Sequence, residues 1–461
     1  MFHKILIANR GEIAIRVAKA CRELGIRSVA VHSEADAEAP HVRACDEAVL
    51  VGKAASRESY LSIDNVVRAG IAAGADAVHP GYGFLSENAA FASAVGDAGM
   101  VFIGPSPSAI AAMGDKTEAR ALVRTVGVPV TPAIEAPPSD PDELKELALR
   151  IGFPLLVKAA AGGGGRGMRT VRSIDELAEA LDGAQREAAS AFGNGRVFIE
   201  RYVERPRHIE MQILADRYGN IVHFGERECT LQRRHQKVVE EAPSISVDSA
   251  LRGRLAAAAT AAARCVAYAN AGTVEFLVDE DRNCYFLEMN TRIQVEHPVT
   301  EWVYGVDLVQ AQIRVAAGEP LWIRQDDVVA RGHAIEARVY AEDPEAGFRP
   351  SPGRIGELRE PKGLGVRVDS GVAAGYQIPM YYDAMVAKLS VWAGDRDSAR
   401  RRMIAALADY RVEGVTTNLP FLGAIMRHRS YISNNVSTAF LGDALPELLA
   451  EARRLQETGE A

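Results

Sequence analysis

Thr273-Val-Glu-Phe-Leu-Val278 and Cys284-Tyr-Phe-Leu-Glu-Met-Asn290 are two β-type runs joined by the polar segment Asp279-Glu-Asp-Arg-Asn283. The pattern predicts a hairpin, and centring it on that turn sets Glu275 opposite or nearly opposite Glu288. Like charges facing each other across two strands are destabilising unless something sits between them. A hard divalent cation held by carboxylate and amide oxygens suits the place, Mg²⁺ with a nucleotide above all. The alternative is a pair of exposed glutamates that splay apart in solvent. The chain beyond the hairpin extends the pattern. At the strand period of two, Glu288, Asn290, Arg292, Gln294 and Glu296 share one face, and Leu287, Met289, Ile293 and Val295 share the other.

With 461 residues, this hairpin belongs to a chain of about three domains. Its formal charge of −8 argues against a nucleic-acid protein held by general electrostatics. Cys21, Cys45, Cys229, Cys265 and Cys284 are scattered without a CxxC spacing, which fits a reducing cytoplasm rather than a disulfide framework or a zinc site. Lys4, Arg10 and Glu12 interrupt any signal-peptide core. The Ala-rich run Leu255 to Ala263 is too short to span a bilayer and reads as a core helix. A soluble cytoplasmic protein, with no membrane and no nucleic acid among its partners, is the expectation.

Taken in order, alternating strands and helices from His3 to about Gly104 predict a parallel α/β domain. Its first strand–helix turn lacks GxGxxG, so a dinucleotide site is not expected there. The loop His79 to Asn88 follows a strand end and sets Tyr82 between two glycines. It reads either as a simple turn or as a loop that presents the Tyr82 ring to a ligand. After a Pro-rich boundary at Val128 to Pro141, strands are expected at Phe153–Ala159 and Met168–Val171 around Gly162-Gly-Gly-Gly-Arg-Gly167. A strand rather than a helix follows these glycines, so they form a hairpin flap whose backbone N–H groups suit a polyphosphate, with Lys158 adding charge. A helix near Asp175–Ser190 and a strand at Arg196–Val203 complete this unit. The segment from Glu200 to Val203 then offers a place for a nucleotide base. Antiparallel strands follow on either side of the turn at Asp216 to Asn220. The basic run Gln232 to Lys237 reads either as a solvated face or as an anion clamp. A β-rich segment begins at Arg331, helices are expected near Asp397–Tyr410 and Pro420–Arg427, and a charged helix that frays ends the chain.

The glycine flap with its lysine, followed by Glu275 and Glu288-x-Asn290, resembles the ATP-grasp fold. Ile7-Ala-Asn-Arg-Gly-Glu-Ile13, His79-Pro-Gly-Tyr-Gly-Phe-Leu-Ser-Glu-Asn88, Met113-Gly-Asp-Lys116, Gln232-Arg-Arg-His-Gln-Lys237 and Glu288-Met-Asn-Thr-Arg-Ile-Gln-Val-Glu-His-Pro298 narrow it. Together they resemble biotin carboxylase, the ATP-dependent component of biotin-dependent carboxylases, from residue 3 to about 440.

The resemblance implies a fold of α/β plus α+β class. It divides into a Rossmann-like domain over 1–113, an ATP-grasp lid over 114–203, a large ATP-grasp domain over 204–332, a C-terminal β-rich domain over 333–446 and a charged tail over 447–461. It implies ATP contacts at Lys116, Lys158, Gly163, Gly164, Gly165, Met168, Glu200, Arg201, Val203, His208, Gln232 and His235. Glu275, Glu288 and Asn290 would hold Mg²⁺ or Mn²⁺, two ions in all. Bicarbonate would meet Arg292, Gln294 and the backbone of Val295, with Glu296 as its base and Lys237 alongside. Tyr82 and Arg338 would face biotin, Arg338 stabilising its enolate. Two positions depart from the family's usual pattern: Ala159-Ala-Ala161 precedes the glycines, and Arg201 stands where Lys is common. The chain holds no Met-Lys-Met acceptor and no carboxyltransferase domain, so a biotin carboxyl carrier protein and carboxyltransferase subunits are implied as partners, with a homodimer as the assembly. Acetyl-CoA carboxylase of fatty acid biosynthesis, propionyl-CoA and pyruvate systems all use such a component, and the acceptor stays open. The rival readings are another ATP-grasp ligase, which would lack Arg292-Ile-Gln-Val-Glu296 and Arg338, and a catalytically silent member of a carboxylase assembly.

Overall fold

The computed structural model describes residues 1–160 and 168–459, so Gly163, Gly164 and Gly165 lie outside the described residues. Strands β1 (Lys4–Ile7), β2 (Arg27–Ser33), β3 (Glu47–Gly52), β4 (Ala77–His79) and β5 (Val101–Phe102) form one parallel sheet in the order β3-β2-β1-β4-β5. Their apolar runs follow from burial on both faces. Ile5 and Ile7 pack with Ile13 and Val17 of the helix Gly11–Glu23. Leu6 and Val29 pack on the other side with Val66 and Phe91 of the helices Ile63–Ala73 and Ala89–Asp97.

A second, antiparallel sheet joins β6 (Ala133–Ile134), β7 (Leu155–Ala159), β8 (Arg169–Val171) and β9 (Val197–Arg201) in the order β6-β9-β7-β8. The helix Leu177–Phe192 covers it through Leu177, Ala184 and Ala188.

The third sheet runs through β10 (Arg207–Ala215), β11 (Ile221–Arg233), β12 (Gln236–Ala242), β13 (Asn270–Val278), β14 (Cys284–Asn290) and β15 (His333–Tyr340), then the strands Met385–Ala393 and Val366–Ser370. Its order is β14-β13-β10-β11-β12-β15, followed by those two strands. Alternation sorts its faces. Ile209, Met211, Ile213, Val274 and Phe276 pack on Leu255 and Ala259 of the helix Ser249–Cys265, which covers the apolar side as the Ala-rich run predicts. His208, Glu210, Gln212, Thr273 and Glu275 alternate with them along the same strands.

The large ATP-grasp part and the C-terminal β-rich segment share one eight-stranded sheet, because β12 finds its second partner in β15. Two expectations need correction. The strand through Glu288 stops at Asn290, and residues 291–296 are irregular before the helix His297–Tyr304 begins. Gln294 and Glu296 therefore reach the site by chain reversal and not by strand period. The terminal segment is an ordered helix, Leu445–Thr458, whose Leu448, Ala452 and Leu455 are buried in the core around Phe421 and Met426. Its apolar positions fall at helical spacing, which the abundance of charge on the other face obscures. No helix among the described residues is long and apolar enough to cross a membrane.

Candidate active site

Glu288 lies directly opposite Glu275, Glu275 opposite Glu210, and Glu210 opposite Arg227, a row of charge across β14, β13, β10 and β11. Three carboxylates abreast require cations, and the fold supplies them. Lys237 Nζ donates to Glu210 Oε2 at 2.6 Å, Glu275 Oε1 at 2.8 Å and Glu296 Oε1 at 2.6 Å. His208 Nε2 lies 2.9 Å from Glu275 Oε2, and Lys116 Nζ lies 3.4 Å from Glu288 Oε2. Arg227, wholly buried, donates to Glu210, Gln212, Thr273, Gln294 and Thr300. Despite their burial, the balance of charge holds Glu275 and Glu296 well below the usual carboxylate range. Lys237 and His208 do this for Glu275; Lys237, Arg338 and Arg227 do it for Glu296.

The irregular segment 291–296 is tied into this row. Gln294 Nε2 and Asn290 Nδ2 donate to Glu275 Oε1 at 2.6 and 2.9 Å. Arg292 Nη2 donates to Asn290 Oδ1 at 2.8 Å, and its Nε to Glu87 Oε2 at 2.8 Å. Arg338, on β15, donates through Nη2 to Glu296 Oε2 at 2.9 Å and through Nε to Glu240 Oε1 at 2.6 Å. Tyr82 OH bonds Glu12, and Lys388 Nζ lies 5.9 Å from the centroid of the Tyr82 ring while donating to the Val295 carbonyl at 2.6 Å.

A second charged cluster lies on the four-stranded sheet. Lys158 Nζ donates to Glu200 Oε1 at 2.9 Å, and Arg120 and Thr131 donate to Glu200 Oε2 at 2.9 and 2.5 Å. Burial lowers the proton affinity of Lys158, and Lys116 adds to that. His235, at the exposed tip of the β11–β12 turn with φ of 65°, is lowered by partial desolvation of its ring, then by Lys158, Lys116 and His208. Lowering of Lys158 and His235 by neighbouring cations reports a crowd of positive groups, the environment that phosphate oxygens seek. Gln232 Nε2 contacts His208 Nδ1 at 3.2 Å, so the basic run at 232–237 turns inward rather than presenting a wholly solvated face.

Known families match nearly the whole chain. Residues 1–110 match the model for the biotin carboxylase N-terminal domain, 115–324 that for the ATP-binding domain of the carbamoyl-phosphate synthase L chain, and 336–443 that for the biotin carboxylase C-terminal domain. A biotin carboxylase of Nostoc sp. is 54% identical over 95% of this chain and 98% of its own. The chain belongs to the biotin carboxylase family. A pyruvate carboxylase component of Methanothermobacter thermautotrophicus is 53% identical over 99% of this chain and 92% of its own. Among solved structures, the biotin carboxylase domain dimer of Hydrogenobacter thermophilus 2-oxoglutarate carboxylase, with MgADP, ADP and bicarbonate, superposes with a TM-score of 0.93 at 46% identity, covering 97% of this chain and 98% of that one. The Campylobacter jejuni biotin carboxylase–β-γ-ATP complex gives 0.93 at 44% identity, covering 96% and 99%. As a biotin carboxylase homologue the chain is an ATP-dependent ligase of the ATP-grasp fold, and its reaction uses ATP, Mg²⁺ and biotin borne on a carrier.

For a biotin carboxylase, the sequence reading left several site residues unnoticed. Glu87, Glu210, Arg227, Glu240 and Lys388 all touch the residues that the resemblance singles out. The available signal was a charged residue alternating with apolar core positions within one strand, Glu210 between Ile209 and Met211 above all. Arg201 is exposed, and Val203 and Met168 are half-buried beside the four-stranded sheet.

Proposed function

We propose that the two clusters divide the carboxylation of biotin between them. Lys116, Lys158, His208 and His235 hold the ATP phosphates with Gln232 alongside. Arg201, Val203, Met168 and the backbone at Glu200 flank the base, since the Glu200 carboxylate is already engaged. The oxygens of Glu275, Glu288 and Asn290 form a hard donor set that fits Mg²⁺ or Mn²⁺, two ions in the complete site. When bound, the metal supplies charge neutralisation at the transferring phosphoryl group.

Arg292 and Gln294 orient bicarbonate, and Glu296 takes its proton as its oxygen attacks the γ-phosphorus and ADP leaves. Glu296 is held as a carboxylate by Lys237 and Arg338. An anion seated beside those cations takes up part of their field and returns proton affinity to the base. The product, carboxyphosphate, breaks down to CO₂ and phosphate. The phosphate removes the ureido proton, Arg338 stabilises the enolate, and the biotin nitrogen captures CO₂ beside Tyr82. The observation that supports this reading most is Glu296 lying 2.6 Å from Lys237 and 2.9 Å from Arg338. In this reading the chain works in the cytoplasm as a homodimer, receives biotin on a biotin carboxyl carrier protein and delivers it to carboxyltransferase subunits.

ADP release with MgATP and bicarbonate, measured with and without free biotin, tests the assignment. Strong stimulation by biotin, reduced about 10²–10⁴-fold in Glu296→Ala, is the expected result for loss of a general base. ATP turnover indifferent to biotin would overturn it.

A further inference from the structure

Behind Arg338 lies a buried carboxyl pair that the reaction just described does not use. Glu240 on β12 and Glu336 on β15 are directly opposed in the strand register, and both are fully buried. Glu240 Oε1 accepts from Arg338 Nε at 2.6 Å and lies 2.5 Å from Arg338 Nη2, while its Oε2 has no hydrogen-bond partner among the described residues. Glu336 has none there for either oxygen. Burial pushes both groups up, Glu240 to about 7 and Glu336 well above the carboxylate range. Two facing, fully buried carboxyls do not both stay ionised. The guanidinium contact decides between them, leaving the charge on Glu240 and the proton on Glu336.

We propose that Glu240 is a positioning residue for the carboxylation step, the permanent anchor of Arg338. The guanidinium has two anionic holders, Glu240 and Glu296. Glu296 becomes neutral when it takes the bicarbonate proton, and its hold on Arg338 weakens at the point where the enolate has to be met. Glu240 hydrogen-bonds Arg338 alone among the cations that touch Glu296, and neutralising Glu296 removes a negative neighbour that raises Glu240, so its carboxylate is favoured as that change occurs. A charged fork fixed at Nε keeps the guanidinium plane aimed where developing negative charge appears.

This inference rests on the role of Arg338 given above, and the test separates the two. The readout is carboxybiotin formed per ATP cleaved, with radiolabelled bicarbonate fixed in acid-labile form counted against ADP release. Glu240→Gln keeps the shape and removes the charge, and is expected to lower that ratio about tenfold. A purely structural role would lower both rates together and leave the ratio unchanged. Glu336→Gln, which alters the same buried layer without touching Arg338, is expected to keep the ratio within about twofold of the parent. If Glu240→Gln fails to fold, Glu240→Asp, which keeps the charge but withdraws it by one methylene, is read in the same ratio with the same expected direction. A ratio unchanged in the folded Glu240 variant, or lowered equally by Glu336→Gln, overturns the proposal. Arg338→Ala is the reference: if it leaves the ratio unchanged, the role of Arg338 itself fails. If it lowers the ratio and the Glu240 variant does not, Glu240 alone is excluded.

Discussion

The parallel sheet and the eight-stranded sheet solve burial differently, and the difference explains where the chemistry sits. In the parallel sheet, Ile5, Leu6 and Ile7 are all fully buried, because helices cover both faces of the central strand and leave no position there for charge. Charged residues stand at strand ends, as Lys4, Arg27 and Glu47 do, or in loops such as the one that carries Glu87. In the eight-stranded sheet, a helix covers one face and the opposite face carries Glu288, Glu275, Glu210 and Arg227 abreast. Each of these four charges has a partner of opposite sign within reach, which makes the row tolerable.

The comparison breaks first at Arg227. Arg227→Met removes the cation while leaving Glu210 and Gln294 in place, and a loss of about 3–5 kcal/mol in urea unfolding is expected. A neutral result would mean that the charged face contributes nothing to folding. On the parallel sheet the corresponding test is Leu6→Ala, expected to cost about 2–5 kcal/mol by cavity formation while leaving the KM for bicarbonate unchanged. A change in KM there would show that the two sheets are not separable in function.

The smallest effect sharpens the rule at its exception, a charge on the apolar side of the large sheet. Glu241 shares its face with Val239 and accepts from His333 at 2.7 Å and Arg396 at 2.6 Å, which lower it to about 2 against the push of burial. A carboxyl lowered on folding contributes stability above its unfolded value, and that contribution is lost as the pH falls through the folded one. Glu241→Gln is therefore expected to cost at most about 3 kcal/mol at neutral pH. The gap to the parent should narrow from about pH 4.5 downward, followed by denaturant unfolding across that range. A gap independent of pH would remove the carboxylate from the account.

Much of this was legible in the chain itself. The hairpin pattern set Glu275 against Glu288, and the register agrees. The Ala-rich run is the helix Ser249–Cys265, and the parallel α/β start is the five-stranded sheet. These are local facts, since apolar periodicity and turn chemistry act within a few residues. The convergence of Gln294 and Glu296 was inferred from a strand that ends at Asn290, so its cause lay elsewhere. The terminal helix was misjudged because charge on its outer face masks three buried positions.

What the sequence determined alone is therefore the identity of the reactive groups and the face each strand offers. Strand order is a tertiary matter. Only pairing of β10 between β13 and β11 brings Glu210 into line with Glu275 and Arg227, and only pairing of β15 with β12 sets Glu240 beside Arg338. These partners are 17 to 98 residues apart in the chain. No short-range preference encodes such distances, because the contacts form only when whole faces are buried together.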